Sequence, residues 1–418
     1  MKKMLQGNAI VGQSGGPTAA INATLSGVIR GVLSQSGQNG AIQCLYGMRN
    51  GLEGLLERRT VCLSELLATE DSLRLLEQTP AAALGSCRKK LPAPDSGKPE
   101  DQAIYTKLFD ILREMNIRYF FYIGGNDSMD TVEKMSRYAE RVGYEIRIVG
   151  VPKTIDNDLP ETDHTPGYGS AAKYVATVTR EIIRDCAVYT TKAVTIVEIM
   201  GRGAGWLAAA SAAGQAVGGE APDLVYLPER TFDMERFFAS IEKKFAEKPN
   251  LVVAVSEGLR FADGRYVSKV TGSSEADAFG HQYLAGTAKA LEVAVKWHFG
   301  CKVRSIELNL PQRCGGHILS LADRKESVAI GKAAVEAALA GVSGEMMVFE
   351  RLSDQPYSYR IGHRDVSRIA NGIRSVPDEY INEGGDGITD ACCAYILPLI
   401  AGECDILWKD GMPEHLIL

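Results

Sequence analysis

The chain has 418 residues and a net charge of -6, with 45% hydrophobic and 23% charged residues, the composition of a globular protein long enough for two or three domains. That balance excludes a general nucleic-acid binder, which carries a basic stripe, and no apolar run reaches the ~18 residues needed to span a bilayer. The nine cysteines include no Cys-x-x-Cys and no zinc-ligand spacing, and no secretory segment opens the chain, so reduced thiols in a cytoplasm are expected.

In chain order, short apolar runs at 8–13, 119–123, 146–151, 194–199, 251–255 and 303–308 predict strands. They are nearly continuous in apolar residues, as strands buried on both faces are. Between them lie helical patterns at 18–33, 128–141, 169–185 and 327–339. The alternation predicts an α/β fold with mostly parallel sheets. Residues 89–102 read as an exposed, proline-containing loop, and 354–365 as a second irregular patch.

Functional side chains gather where the strands end. The first strand runs into Ser14-Gly15-Gly16, the second into Gly124-Gly125-Asn126-Asp127-Ser128 and the third into Lys153-Thr154-Ile155-Asp156-Asn157-Asp158. The next two run into Met200-Gly201-Arg202 and Ser256-Glu257-Gly258. In open α/β sheets the ligand crevice lies outside the carboxyl ends of the strands. The paired glycines let backbone N–H groups approach a phosphate at a helix N-terminus. Amide and carboxylate oxygens at Asn126 and Asp127 suit Mg²⁺. The two carboxylates of Asp156 and Asp158 suit proton abstraction from a phosphoryl acceptor, and Arg202 suits a bidentate phosphate grip. Taken singly, each has a structural alternative: a tight turn, a helix cap, an Asx turn or a surface ion pair.

Together these residues resemble the phosphofructokinase family. The resemblance rests on Gly15-Gly16, GGNDS at 124–128, PKTIDND at 152–158, MGR at 200–202, Glu257 and QRCGG at 312–316, in order and spacing, and covers roughly residues 7–352. It implies two doubly wound lobes with the active site between them. Residues 1–165 and 312–352 would bind the phosphate donor and 166–311 the sugar phosphate, leaving 353–418 as a segment packed on the lobes with no assigned role. It implies Asp156 as the base on the sugar 1-hydroxyl, Thr154 as a phosphate-orienting hydroxyl and Asp158 beside metal and sugar. Arg88 would act on the transferred phosphate. Met200, Gly201, Arg202 and Glu257 would hold the sugar phosphate, with Arg304 and Arg313 on its 6-phosphate. Gly15, Gly16 and Gly125 would cradle the donor, Mg²⁺ would be the cofactor, and a homodimer or homotetramer could complete the site.

The sequence departs from the family pattern at several positions. Asn126 replaces a metal-linked aspartate, Leu310 a histidine, and Ala193 a subunit-bridging arginine for which neighbouring Lys192 could substitute. Ser26 replaces an effector-site arginine of bacterial ATP-dependent enzymes, which predicts little response to nucleoside diphosphates or phosphoenolpyruvate, although Arg30 remains. Asp127 and Lys153 stand where ATP-dependent relatives carry glycine. A carboxylate at 127 would fill the space of the nucleotide's α-phosphate and repel it, by about 4 kcal/mol for like charges ~4 Å apart at an effective dielectric near 20. Lys153 would offset charge on the leaving phosphate. The expectation is therefore reversible transfer from pyrophosphate to fructose 6-phosphate. The alternatives are an ATP-dependent enzyme of the same fold, or a catalytically silent paralogue, which would lack some of Asp156, Arg88, Arg202 and Arg313.

Overall fold

The apolar runs become strands of two sheets in a computed structural model that describes residues 4–35, 40–271 and 286–418. In chain order the strands of these sheets are β1 (Gly7–Gln13), β2 (Ile42–Met48), β3 (Thr60–Cys62), β4 (Ile117–Gly124), β5 (Arg147–Pro152), β6 (Ala193–Ile199), β7 (Leu224–Tyr226), β8 (Asn250–Ser256), β9 (Lys302–Glu307), β10 (Glu345–Asp354) and β11 (Tyr357–Asp365). The first sheet has the order β11-β10-β5-β4-β1-β2-β3 and the second β7-β8-β6-β9. The second sheet is parallel throughout. The first is parallel in its centre, with β3 and β11 antiparallel at its two edges.

Each sheet is covered on both faces, which is why its central strands are apolar on both sides. In the first lobe, one face packs on the helices Ile21–Leu33 and Leu321–Leu339. The other packs on Pro99–Glu114 and Asn126–Arg141. In the second lobe, Tyr168–Cys186 and the short helix Trp206–Ala210 lie on one face. Met234–Phe245 and Thr287–Phe299 lie on the other. No helix among the described residues is long and apolar enough to cross a membrane.

Three sequence expectations change. Residues 354–365 are not irregular: β11 pairs antiparallel with β10 from Asp354↔Tyr357 to Glu345↔Asp365. Its Tyr359 and Ile361 pack against the core while polar neighbours face outward. That alternation belongs to a half-exposed edge strand and lacks the continuous apolar signature of the buried ones. The loop read at 89–102 ends at Pro99, which opens a helix as N-terminal prolines do. The helix read from 327 begins at Leu321, where Ser320 caps it by accepting from the Asp323 N–H.

After β11 the chain stays on both lobes. Val366 and Ile369 enter the first lobe's core. Val376, Ile381, Ile388, Cys392, Tyr395, Ile396 and Leu399 enter the second lobe's core. The segment beyond 353 therefore supplies one edge of the first sheet and part of the apolar filling of the second lobe.

The helices Ile21–Leu33 and Leu321–Leu339 cross on two glycines. A Cβ on Gly27 would lie 2.2 Å from the Val328 carbonyl oxygen, and one on Gly331 equally close to that of Thr24. Overpacking of this kind costs ~1–3 kcal/mol. Gly27→Ala is expected to lower the urea midpoint of unfolding with an unchanged slope; an unchanged midpoint would show that the helices separate freely.

Candidate active site

The topology brings the strand-end clusters together. β1, β4 and β5 are neighbours in the first sheet, and β6 and β8 in the second. Their carboxyl ends face a shared cleft of about 490 Å³ between the lobes. It is lined by Gly15, Gly16, Arg88, Gly125, Asn126, Asp127, Lys153, Thr154, Asp156, Asp158, Met200, Arg202, Glu257 and Arg313, all expected at the site from the sequence.

On the donor side, Gly15 turns with φ 79° and a Cβ there would meet the Lys153 ammonium at 3.3 Å. Lys153 is buried and its Nζ donates to the Gly16 carbonyl at 2.7 Å. Removal from water pulls its pKa down to about 8, against the opposing pull of Asp156 and Asp158. Arg313 approaches the same loop: a Cβ on Gly16 would lie 3.3 Å from its Nη1. Burial and the nearby Arg88 cation lower the Arg313 pKa.

Asn126 and Asp127 occupy the first turn of the helix Asn126–Arg141. They are therefore part of a helix N-terminus and not of the loop before it. Asn126 Nδ2 donates to the Gly372 carbonyl at 2.8 Å, while its buried Oδ1 has no partner. Asp127 forms an ion pair with Lys90 at 2.9 Å, both side chains being partly exposed. This changes the expected role of Asp127: Lys90 offsets its charge, so its volume remains as the obstacle to a larger donor and the full repulsion does not.

The loop after β5 carries the carboxylates. Thr154 Oγ1 accepts from the Asp156 N–H at 3.1 Å, a local turn that directs this hydroxyl to the backbone of Asp156. Asp156 is half-buried, and its desolvation raises its pKa, while Arg202, Lys153 and Arg313 pull the other way. Burial and the charge of Asp156 push Asp158 up to about 7. Glu257 rises to about 8 for the same reasons. Of the three carboxyls, Asp156 is the one for which an arginine, Arg202, is the leading opponent of desolvation.

On the sugar side, Met200 N donates to Gln312 Oε1 at 3.2 Å and Gly201 N to Glu257 Oε1 at 3.4 Å. Gly201 sits just behind the cleft wall with φ 138°, its carbonyl accepting from Ser256 Oγ at 2.6 Å. A Cβ on Gly258 would strike the Arg202 carbonyl oxygen at 2.3 Å, so glycine there lets the Arg202 corner approach β8.

Arg304 is not brought into the cleft of its own chain. It lies within β9, opposite Thr195, and lines a separate recess with Val178, Glu181 and Cys186. Its strand is right, but the cleft lies beyond the strand's end. Lys192 places its ammonium over the Phe245 ring at 5.0 Å, and Leu310 is exposed. Ser26 Oγ donates to Glu77 at 2.8 Å, and Arg30 pairs with both Glu70 and Glu77. The cation left beside Ser26 is thus engaged by the protein's own carboxylates.

Sequence reasoning missed Lys90, Asn371, Gly372 and Ile373, all of which line the cleft. Lys90 follows Arg88 by two residues in a basic run that could have drawn notice. The other three belong to no strand-end cluster and reach the site only through the tertiary path of the C-terminal chain.

Comparisons agree with this geometry. The family described as Phosphofructokinase matches residues 8–338. The chain is 40% identical over 418 residues to the pyrophosphate–fructose 6-phosphate 1-phosphotransferase of Xanthomonas campestris pv. campestris (strain B100), covering 99% of this chain and 97% of that protein. It is similar to the solved pyrophosphate-dependent phosphofructokinase of Nitrosospira multiformis, with TM-score 0.86 and 37% identity over 98% of this chain and 96% of that one. A second solved pyrophosphate-dependent phosphofructokinase, from Marinobacter aquaeolei, gives TM-score 0.83 and 38% identity over 98% and 95%. With the matched region spanning every strand-end cluster from Gly15 to Arg313, the chain belongs to the phosphofructokinase family.

Proposed function

We propose that the chain transfers a phosphoryl group reversibly between pyrophosphate and the 1-hydroxyl of fructose 6-phosphate, giving fructose 1,6-bisphosphate and phosphate. The observation that carries this reading is Lys153, a buried ammonium on the Gly16 carbonyl at the floor of the donor loop. The relatives described above carry the same activity in their names.

The roles follow from position. Gly15, Gly16 and Gly125 present backbone N–H groups to the donor. The sugar phosphate lies against Met200, Arg202 and Glu257, with Gly201 behind them shaping the corner and Arg313 between the two ligands. Asp156 removes the proton of the 1-hydroxyl as its oxygen attacks the terminal phosphorus. The bridging P–O bond breaks and phosphate leaves, its developing charge met by Lys153 and Arg88. Glu257, with its pKa near 8, keeps a proton at neutral pH and can donate to a sugar oxygen. Mg²⁺ fits this cleft: the partnerless Asn126 Oδ1 and the nearby carboxylates of Asp127 and Asp158 are hard oxygen donors. Bound there, it would neutralise pyrophosphate and help orient it. Arg304, outside its own chain's cleft, fits a homo-oligomeric enzyme in which a second subunit completes the sugar site. Phosphorylated substrates place the reaction in the cytoplasm.

Asp156→Asn is expected to lower kcat by ~10²–10⁴-fold, the range of a general base. Retention of more than about a third of the wild-type kcat, far above that range, would remove Asp156 from the mechanism.

Donor choice is read by comparing pyrophosphate and ATP. Lys153→Gly should cripple turnover with pyrophosphate, and Asp127→Gly should admit some ATP by clearing volume. A wild-type enzyme that turned over ATP faster than pyrophosphate at equal concentration would instead be the ATP-dependent enzyme.

The depressed Lys153 pKa also sets a pH dependence. A cation is lost as pH rises through its pKa, so kcat/KM for pyrophosphate should fall above about pH 8, the value for the free enzyme. A profile flat to about pH 9.5, well past the point where a group of this pKa has lost its proton, would exclude Lys153 as the donor's cation.

A further inference from the structure

Residues 371–376 bond to both lobes, and the first three of them line the cleft. Asn126 Nδ2 donates to the Gly372 carbonyl on the first-lobe side. On the second-lobe side, Trp206 Nε1 donates to the Arg374 carbonyl at 3.1 Å. Glu229 Oε1 accepts from the N–H groups of both Val376 and Gly205 at 2.9 Å.

Within this strap Arg374 reaches under the loop that carries Asp156 and Asp158. Its backbone N–H donates to the Asp158 carbonyl at 2.7 Å. Its guanidinium lies over the Trp206 ring, 4.3 Å from the centroid, and donates to the Asn157 carbonyl and to the Tyr395 hydroxyl, each at 3.3 Å. The Tyr395 hydroxyl also accepts from Asn157 Nδ2 at 2.9 Å and donates to the Asp163 carbonyl at 2.7 Å.

Asn157 is the residue between the two carboxylates. It is fully buried and holds a left-handed backbone, φ 55°. Such a conformation is uncommon outside glycine and persists where its surroundings over-determine it. Here the surroundings are Arg374 on its carbonyl and Tyr395 on its amide. Were Asn157 to relax to negative φ, the peptide planes on either side would turn and both flanking carboxylates would swing.

We propose that Arg374 and Tyr395 are positioning residues for phosphoryl transfer: they hold Asn157 in its left-handed turn and so aim Asp156 at the acceptor hydroxyl. Neither lines the cleft. This rests on Asp156 as the base.

The test is a kinetic cycle on the full-length enzyme, with pyrophosphate, fructose 6-phosphate and Mg²⁺. Tyr395→Phe, which keeps the ring and removes the hydroxyl, and Arg374→Ala should each lower kcat ~10- to 100-fold, the scale of one lost charge-assisted or buried hydrogen bond. KM for both substrates should stay within about threefold, since misplacing the base weakens the transition state and leaves ground-state binding alone. Added guanidinium at millimolar concentration should recover part of the kcat of Arg374→Ala. On an Asp156→Asn background, Tyr395→Phe should cost almost nothing more, because residues acting through one another are non-additive. Losses that multiply in the double variant, or a rise in KM with kcat unchanged, would overturn the proposal and make the strap a packing element. Should Arg374→Ala unfold, the Tyr395→Phe cycle decides by itself. Should Asp156→Asn retain activity, the base assignment fails separately, and a wild-type kcat for Tyr395→Phe would still be needed to reject the hold on Asn157.

Discussion

The chemistry of this protein depends on keeping three carboxyls and several cations together in one cleft whose walls take part of each group out of water. Burial raises the pKa of Asp156, Asp158 and Glu257 and lowers that of Lys153 and Arg313. Opposite charges work against that burial: Arg202, Lys153 and Arg313 favour the Asp156 carboxylate, and Asp156 and Asp158 favour the Lys153 ammonium. The two-lobe fold meets that condition by placing strand ends from two sheets opposite one another, so that carboxylates on the β5 loop face Arg202 from the β6 corner. Donor and acceptor then enter a region whose charges are already set, where each contact is stronger than in bulk water.

The donor side shows how a few side chains redirect a shared scaffold. The tight glycine turns suit any polyphosphate. Lys153 adds a buried ammonium on the Gly16 carbonyl, and Asp127 adds bulk at a helix N-terminus. With Lys90 beside it, Asp127 presents a partly neutralised surface, so any selectivity that the proposed function assigns to this corner rests on shape more than on repulsion. Desolvation also draws the Lys153 pKa down to about 8, and on the proposed function use of the small donor would then depend on pH.

Much of the site was legible because the fold concentrates function at strand termini. Gly15, Lys153, Asp156, Arg202 and Glu257 each follow an apolar run, and the pattern survives without knowledge of how the strands are ordered. What escaped reading has physical reasons. Arg304 lies on a correctly expected strand, but its position along β9 keeps it short of the cleft. β11 alternates because it is an edge, and so resembled a loop. Ile373 and Gly372 reach the cleft by a route that depends on contacts with Trp206, Glu229 and Asn126, residues far away in sequence, and no local pattern records such a path.

The position of β10 and β11 has a consequence for biosynthesis. β10 lies against β5 by way of Gly344–Ile148 and Glu345–Val149 contacts, and β11 closes the edge beyond it. Until residues 345–365 leave the ribosome, the outer side of β5 is an unpaired strand edge next to the loop that carries Asp156. The strands of the second lobe's sheet, encoded between β5 and β10, are by then already synthesised. A nascent chain of this protein therefore holds an incomplete first sheet through most of its synthesis, the kind of edge that recruits foreign strands or chaperones. The catalytic loop can gain its final support only when the end of the chain arrives.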